Sequence, residues 1–516
     1  MTGVGLRDRV LALLRDAAVV YAGTGWQARF ATAARDVDGP LRVALAGRVK
    51  AGKSTLLNAL VGEAVAATDA GECTRIVTEY GYGPQDAVLG VPQSPAAGGD
   101  ADPGPPLSLC REDGRVRVDL GGSPPEQFGR LVVTVPNQRL QGLTIIDTPG
   151  LASLSGELGA GTQRFLTEGT ADAGAPDAVL YLLRHLHVTD LDFLQAFRDP
   201  AARRVPPVNA LGVLARADEL GGGRGDALEL AARLAAGYGQ EPALRPFVQT
   251  VVPVAGLLAE ASVLLTAADF ADLRALAGTP PAVTDALLLS ADRFRVPRRS
   301  VPVGPDRRAE LLVRLGLFGV RWSLEALRRG RVSDPEGLRT GLSEVSGLDG
   351  LRRVLAAQIT GRREVLKADA ALRLVRTAVT EQERPGARRL AAVAERLSLG
   401  AHDFQELRLL NDLRLGLVDA HDDLRRRAER LLGAAGGDLP DRLGLPADTP
   451  VAQQRDRLLV EHETWQRLAA DPLTPPSLRR ACEVVLRSLQ GFHRGLAADP
   501  SPRAVRAAVP QRPGEP

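Results

Sequence analysis

The residues from Gly47 to Ser54 have the types and spacing of a loop that wraps a phosphate group. Gly47 and Gly52 let the backbone turn its N–H groups toward the phosphate, and Lys53 can reach the β- and γ-phosphates of a nucleotide. The Ser54 hydroxyl is placed to ligate Mg²⁺. A glycine-rich turn without a ligand is the alternative interpretation. We predict nucleotide contacts from one continuous stretch of residues, namely Gly47, Arg48, Val49, Lys50, Ala51, Gly52, Lys53, Ser54 and Thr55.

A second group of candidate residues follows a second apolar run. Residues 41–46 and 55–60 predict a strand and a helix on either side of the phosphate loop. Another buried strand, 143–146, ends at Asp147, which can hold a Mg²⁺-bound water, and the Gly150 N–H can contact the γ-phosphate. Taken alone, residues 147–150 could be a plain turn. Together with the upstream loop they predict a magnesium–nucleotide site.

The polar connection after the first helix supplies a candidate for closing this site. In P-loop GTPases a threonine in such a connection contacts Mg²⁺ and the γ-phosphate. We predict that Thr74 has this catalytic role, so that Ser54 and Thr74 are the metal ligands. Thr68 is the competing candidate, and Thr74 could also be an ordinary residue at the start of the strand 75–80.

A base-recognition site is predicted where the strand 210–214 ends. Asp218 could accept two hydrogen bonds from the guanine N1–H and exocyclic amine, which adenine cannot supply. Arg216 could stack its planar guanidinium on the base. The backbone of Ala255, after the apolar run 251–254, is expected near the base. The alternative for Asp218 is a cap at the start of a helix.

Alternating strands and helices predict an α/β fold with a doubly wound, mostly parallel sheet, followed by an all-α region. Leu410, Leu417, Leu424 and Leu431 recur every seven residues, which is typical of a coiled-coil seam in a helical bundle. We predict that residues 1–38 form an N-terminal helical segment that packs on the bundle. Residues 39–362 are predicted to be the nucleotide-binding domain, with insertions near 91–110 and 257–345. Residues 363–500 should form the C-terminal bundle, and residues 501–516 a disordered tail.

Composition excludes several classes of protein. The 516 residues are 44% hydrophobic and 25% charged, as in a folded globular protein, and the formal net charge of +3 is too small to indicate nucleic-acid binding. The three cysteines, Cys73, Cys110 and Cys482, are far apart, which argues against a disulfide framework or a zinc site. No signal peptide or membrane-spanning run is apparent, so we expect a cytoplasmic protein.

The motifs taken together resemble those of the dynamin superfamily of large GTPases. The phosphate loop, Thr74 and Arg216–Asp218 contribute, and Gln141-Gly142-Leu143-Thr144 before the Asp-Thr-Pro-Gly at 147–150 is characteristic. The chain is most similar to bacterial dynamin-like proteins of the actinobacterial isoniazid-inducible type. The motifs cover residues 41–220 well and 346–372 loosely.

This resemblance implies binding and hydrolysis of GTP with Mg²⁺ and nucleotide-dependent dimerisation of the GTPase domains. It also implies a bundle of N- and C-terminal helices that couples closure to assembly or remodelling at a membrane. The expected partner is a second copy or a sister dynamin-like protein, with peripheral contact at the inner face of the cell membrane. Residues 433–446 are our candidate for a lipid-contacting loop, although the segment contains Asp438 and Asp441.

The phosphate loop departs from dynamins proper at two positions. Val49 and Lys50 stand where dynamins have Gln and Ser, which help to orient water and bind a charge-compensating cation. Guanylate-binding proteins place an arginine at the second of these positions, so Lys50 could supply positive charge to the transition state. A solvated Lys50 is the alternative. The departures leave open a second function, a nucleotide-gated interaction protein with slow or absent hydrolysis.

Overall fold

The computed structural model describes most of the chain in two compact units, which divide between Leu397 and Ser398. The described residues are 5–66, 76–92, 107–112, 115–149, 176–186, 190–191, 194, 210–245, 247–434 and 436–498. The predicted disordered tail lies outside these residues. The functional domain boundaries remain predictions, because a division by compactness does not test them.

The strands follow the apolar runs of the sequence. They are β1 (Leu41–Gly47), β2 (Val77–Tyr82), β3 (Ala87–Pro92), β4 (Ser108–Glu112), β5 (Arg115–Asp119), β6 (Phe128–Val135), β7 (Leu143–Asp147), β8 (Ala178–Leu183), β9 (Ala210–Ala215) and β10 (Val251–Val254). Eight of them form one sheet in the order β10-β9-β8-β1-β7-β2-β6-β3. Only the β2–β7 and β3–β6 pairings are antiparallel. The predicted α/β class with a mostly parallel sheet is confirmed.

The centre of this sheet positions the predicted chemistry. β1 pairs in parallel with β7 on one side and with β8 on the other, and Leu45 lies opposite Asp147. The carboxyl ends of parallel strands meet at one edge of a sheet, so the phosphate loop after β1 and the carboxylate at the end of β7 are neighbours.

Both faces of the sheet are covered, as expected for a doubly wound fold. Alternate residues of β1 contribute to two hydrophobic clusters: Val43 and Leu45 belong to one, and Ala44 and Ala46 to the other. A strand with two buried faces requires a continuous apolar run rather than an alternating one. β1 is buried along its whole length for this reason.

Two features of the β region were not expected from the sequence. β5 pairs only with β4, in a separate hairpin among the described residues. The sequence also missed β3, which extends to Pro92, inside the insertion expected near 91–110. β3 pairs with β6 at the edge of the sheet, where a proline is tolerated because no neighbouring strand needs its N–H.

The helices of the first unit are well separated by glycines and prolines. They are α1 (Leu6–Val20), α2 (Gly25–Asp38), α3 (Lys53–Val61), α4 (Ala227–Gln240), α5 (Gly256–Leu264), α6 (Ala267–Ala277), α7 (Pro281–Leu287), α8 (Ala291–Arg295), α9 (Pro305–Arg328), α10 (Pro335–Ser346), α11 (Leu348–Gln358) and α12 (Arg363–Glu381), with α13 (Ala387–Gly400) crossing the division. The expected insertion 257–345 therefore consists of helices and the connections between them.

The N-terminal helices pack against α12, far along the chain. The Arg7 backbone N–H donates to the Glu364 carboxylate at 3.1 Å, and the Tyr21 hydroxyl donates to the Gln382 carbonyl at 2.8 Å. Gly23, with φ of 75°, makes the turn between α1 and α2. The chain before the sheet thus forms two helices with a distant partner.

The second unit contains α14 (His402–Arg414), α15 (Asp422–Leu431), α16 (Leu439–Leu443), α17 (Val451–Ala470) and α18 (Pro476–Ala498). The continuous heptad seam predicted from Leu410 to Leu431 is wrong. α14 ends at Arg414, so Leu417 lies in the connection between α14 and α15, where it is 63% exposed. Gly416, with φ of 71°, follows the end of α14 and takes a conformation that a helix cannot continue.

Candidate nucleotide-binding site

The phosphate loop has the backbone that its glycines predict. Gly47 has φ of 146°, and a Cβ at this position would lie 2.6 Å from the carbonyl oxygen of Leu182 on the neighbouring strand β8. Gly52 has φ of 98° and immediately precedes α3. The first position therefore needs glycine for close packing and a positive φ, whereas the second needs it for φ alone.

Lys53 is the first residue of α3 and is buried. Its Nζ lies 3.3 Å from the Gly47 carbonyl oxygen and 3.5 Å from the Arg48 carbonyl oxygen, so the side chain lies across the loop. Burial lowers the pKa of this ammonium group, and the Asp147 carboxylate opposes that effect. The residue therefore supplies positive charge at the place where a bound phosphate would approach the helix N-terminus.

Ser54 and Asp147 are joined directly. The Ser54 hydroxyl donates a hydrogen bond of 2.8 Å to Asp147 Oδ2. Asp147 Oδ1 is buried and has no hydrogen-bond partner among the described residues. Burial raises the pKa of this carboxyl, and Lys53 and Ser54 counteract the rise. A hydroxyl beside a carboxylate with a spare oxygen fits Mg²⁺, which prefers oxygen ligands and retains several waters. Bound there, Mg²⁺ would neutralise charge on the nucleotide phosphates.

Lys50 and Arg216 connect the phosphate loop to the loop after β9. Both have positive φ, 60° and 55° respectively, which is rare for residues with a side chain. Arg216 Nη2 donates to the Lys50 carbonyl at 3.0 Å, and its Nη1 pairs with Glu219 at 2.6 Å. The Lys50 side chain is exposed. Its catalytic role and the stacking of Arg216 on a base both stay predictions.

Asp218 lies in a pocket beside the phosphate loop. The pocket contains about 500 Å³ of space free of protein atoms and has Gly52, Thr55, Arg216 and Asp218 in its lining. Asp218 is only 4% exposed, and burial raises the pKa of its carboxyl to about 6. It follows β9 within a short 3₁₀ helix, Ala217–Gly222, as a site at the carboxyl end of a strand requires.

Gly316 is a neighbour of Asp218 that the sequence did not reveal. It interrupts the helix α9 with φ of 65°, and a Cβ there would lie 3.3 Å from Asp218 Oδ2. The sequence shows a glycine within a helical pattern, which by itself indicates only lower helix propensity. The break lets α9 approach the carboxylate closely.

Three further residues complete the surroundings. Ala255 precedes α5 and is fully buried, and its N–H donates to the Ser346 carbonyl. Asn58, which sequence reasoning missed, donates to Glu260 and to the Ala66 carbonyl and accepts from the Ala66 N–H. It therefore anchors the chain just before the predicted closing segment. A buried asparagine in the middle of a helix was the available signal.

Some predicted site residues lie outside the described part of the chain. They are Thr74, its competitor Thr68, and Gly150. The predicted roles of these residues therefore remain untested. Arg48 and Val49 are described and exposed in the loop, whereas Ala51 is buried beneath it.

Comparison with known proteins identifies the family of the chain. Residues 43–205 match the dynamin family, a span that includes the phosphate loop and Asp147. A curated relative is 37% identical over 456 residues, which are 88% of this chain and 90% of the relative. The chain therefore belongs to the dynamin family, and it is a GTPase.

The curated relative is the isoniazid-induced protein IniC of Mycobacterium tuberculosis. The same identity and coverage hold for the sequences from strains CDC 1551 / Oshkosh and ATCC 25618 / H37Rv. The predicted similarity to bacterial dynamin-like proteins is thus confirmed.

Solved structures of bacterial dynamins also align with the chain. An oligomerised bacterial dynamin pair, described as a mechanism for the long range sensing and tethering of membranes, is 13% identical with a TM-score of 0.32. That alignment covers 97% of this chain and 76% of the other. LeoA, a bacterial dynamin GTPase from ETEC, is 14% identical with a TM-score of 0.25, over 95% and 69% of the two chains.

Proposed function

We propose that this dynamin-family GTPase hydrolyses GTP with Mg²⁺ and couples nucleotide-dependent dimerisation to assembly or remodelling at a membrane. The observation that carries the hydrolytic part is the hydrogen bond between Ser54 and Asp147 beside the buried Lys53. These three side chains offer a hydroxyl and a carboxylate to Mg²⁺ and an ammonium group to the phosphates. Thr74 and Gly150 are the proposed residues for closing the site.

Guanine selectivity is proposed to reside in Asp218. The carboxylate is buried in the lining of the pocket next to the phosphate loop. Two acceptor oxygens match the two neighbouring donors of guanine, whereas adenine offers no such pair. Arg216 lines the same pocket and holds the carbonyl of Lys50, so it links base binding to the phosphate loop.

Membrane contact is proposed at one end of the second unit. Leu473, in the connection between α17 and α18, is 90% exposed, and Leu417, in the connection between α14 and α15, is 63% exposed. The Asp419 N–H donates to the Ser477 hydroxyl at 3.2 Å, which brings these two connections together. Exposed Arg479 and Arg480 follow. Apolar tips beside arginines fit an anionic lipid surface.

The loop predicted for lipid contact, 433–446, is a poorer candidate. It contains α16, and Arg442 from this helix pairs with Glu406 at 3.2 Å and lies over the Phe492 ring. These contacts hold the segment against the start of α14 and the later part of α18. None of the described helices combines the length and apolar character needed to cross a bilayer.

We propose a cytoplasmic protein that contacts the membrane peripherally.

A second candidate function is a nucleotide-gated protein that binds GTP, pairs with a sister dynamin-like protein and hydrolyses slowly or not at all. Val49 and Lys50 favour it, because neither offers the amide or hydroxyl with which dynamins proper orient water and bind a cation. Both side chains are exposed on the loop.

Phosphate release separates the two candidates. GTP and ATP would be compared over a range of protein concentrations, with and without anionic liposomes, for the wild type, Lys53→Ala and Lys50→Ala. The first candidate requires GTP-selective turnover that rises with protein concentration and is lost in Lys53→Ala. Loss in Lys50→Ala at unchanged nucleotide affinity would make Lys50 catalytic. Tight GTP binding without turnover under every condition would favour the second candidate, and preference for ATP would refute the role of Asp218.

A further inference from the structure

An open groove lies at the C-terminal end of α3, away from the phosphate loop. It contains about 1020 Å³ of space free of protein atoms, part of it open to solvent. Its walls come from α3, α11 and the 3₁₀ turn Gln138–Leu140, and its floor comes from β1, β7 and β8. Leucine, isoleucine and valine side chains supply most of the lining, including Leu60, Leu143 and Leu355.

Two arginines are the only charged residues in this lining, and they differ in their partners. Arg352 pairs with Asp349 at 3.2 Å and donates to the Ala59 carbonyl at 3.1 Å. The Arg139 guanidinium has no hydrogen-bond or ion-pair partner among the described residues. The nearby Glu63 already accepts from Asn137 at 2.7 Å and pairs with Arg111 at 3.1 Å. Glu63 and Asp349 therefore act on the Arg139 charge only from a distance, and no carboxylate contacts it directly among the described residues.

Gly62 determines where this free guanidinium lies. A Cβ at Gly62 would be 1.8 Å from Arg139 Nη1 and 2.7 Å from its Cζ, so the Nη1 end of the guanidinium occupies the space that a side chain at Gly62 would take. Gly62 also ends α3 with φ of 79°. Partial burial, and secondly the neighbouring Arg352, lower the pKa of Arg139. The charge is thus held at the edge of an apolar groove in a position where an anion would relieve its repulsion.

We propose that this groove binds the carboxylate of a medium-chain fatty acid, with the acyl chain along the apolar lining and the carboxylate on Arg139. A guanidinium presents two parallel N–H donors that match a carboxylate. Arg352 already has a carboxylate and a carbonyl as partners, so the Arg139 guanidinium is the group that needs an anion. A ligand with a single negative charge supplies it. The apolar lining calls for a chain rather than a small anion, because Leu60, Leu143 and Leu355 are only half-buried and an acyl chain would cover them.

A dansyl-labelled undecanoic acid, used below its critical micelle concentration, tests the proposal with the full chain. Dodecanoic acid should displace the probe saturably, and 1-dodecanol should compete at least about tenfold more weakly because it lacks the charge. Arg139→Gln should weaken probe binding about tenfold or more. Ala356→Glu places a negative charge at an exposed position of the groove lining and should weaken it similarly.

Arg353→Gln is the matched control, since Arg353 is an exposed arginine of α11 outside the groove lining. It should bind the probe as the wild type does. Far-UV circular dichroism and GTP binding must match the wild type in every variant, which separates loss of the site from loss of the fold. Equal competition by dodecanol, unchanged affinity in folded Arg139→Gln, or no saturable binding to the wild type would each overturn the proposal.

Discussion

Lys367 Nζ lies 2.7 Å from Asp177 Oδ2, and both side chains are only 4% exposed. The same Asp177 oxygen accepts a hydrogen bond of 2.8 Å from the Arg42 backbone N–H. The pair therefore ties α12, on which the N-terminal helices pack, to the beginnings of β1 and β8. Lys367 is the one lysine outside the phosphate loop, and its position explains why a compact ammonium group is found there.

Replacing Lys367 with Met should destabilise the first unit strongly. The change leaves Asp177 buried without its counter-ion, which typically costs about 3–5 kcal/mol. Arg388→Met is the control, because Arg388 pairs with Glu383 at 2.9 Å on the surface and such pairs contribute about 0–1 kcal/mol. Urea unfolding followed by circular dichroism measures both. Equal small effects would show that the buried pair contributes little, and restoration of stability in Lys367→Met/Asp177→Asn would confirm the unpaired charge as the cause.

Ser54→Ala should raise the Mg²⁺ concentration needed for GTP turnover, provided that the wild type hydrolyses GTP. The substitution removes the hydroxyl that contacts Asp147 and is expected to ligate the metal. We expect at least about a tenfold shift of the half-saturating Mg²⁺ concentration, on the scale that loss of one ligand contact produces. Titration of turnover with Mg²⁺ measures it. Thr449→Ala, an exposed hydroxyl in the second unit, is the control, and an unshifted Mg²⁺ curve for Ser54→Ala would contradict the assignment.

GTP affinity should fall at acid pH because of Asp218. Its pKa is raised to about 6 by burial, so the carboxyl is ionised at pH 7 and protonated at pH 5. A protonated carboxyl cannot accept both guanine donors, and affinity should fall about tenfold for each pH unit below 6. The same raised pKa means that the folded free protein holds this proton more tightly than the unfolded chain. Its contribution to stability is therefore present at low pH and is lost as the pH rises through about 6.

Asp218→Asn provides the control for this pH dependence. The amide does not titrate, so the fall in GTP affinity between pH 7 and pH 5 should be absent in this variant. GTP should bind it weakly at every pH. An amide can donate to the 2-oxo group of xanthine and accept from its N1–H, so affinity for XTP should rise relative to GTP. Fluorescence titration with labelled nucleotides measures each case. A wild-type pH profile that persists in Asp218→Asn would assign the dependence to another group.

Gly316→Ala should weaken guanine-nucleotide binding more than it weakens the fold. An added Cβ would lie 3.3 Å from Asp218 Oδ2 and must displace that carboxylate or the helix break. Gly330→Ala is the control for positive φ, since its φ of 66° equals that of Gly316 within a degree but no atom lies within 4 Å of the added Cβ. Gly316 also has ψ of 176°, in a region that essentially only glycine adopts, so its substitution carries a backbone cost beyond that of positive φ. Only Gly316→Ala should lower GTP affinity, and equal affinities would show that the contact has no role in binding.

The nucleotide site was predictable where chemistry depends on neighbours in sequence. Gly47, Gly52, Lys53 and Ser54 lie together where a strand gives way to a helix, so their types and spacing carry the prediction. Asp147 was predictable because it ends a buried strand, and parallel strands bring such ends to one edge. Asp218 followed from the same rule applied to β9. The continuous seam predicted from the heptad leucines was wrong, because a periodic pattern does not reveal that the helix ends just before Gly416.

The sequence by itself thus determined the family and the mostly parallel sheet, and it predicted the phosphate-binding residues. Only the tertiary structure decided the approach of Gly316 to Asp218, the burial of Lys367 against Asp177 and the free guanidinium of Arg139 over Gly62. In each case the partners lie on different elements and are 77 residues or more apart in the chain. Local periodicity reports which face of an element is buried. It does not report what that face meets, because packing between distant elements selects the contact.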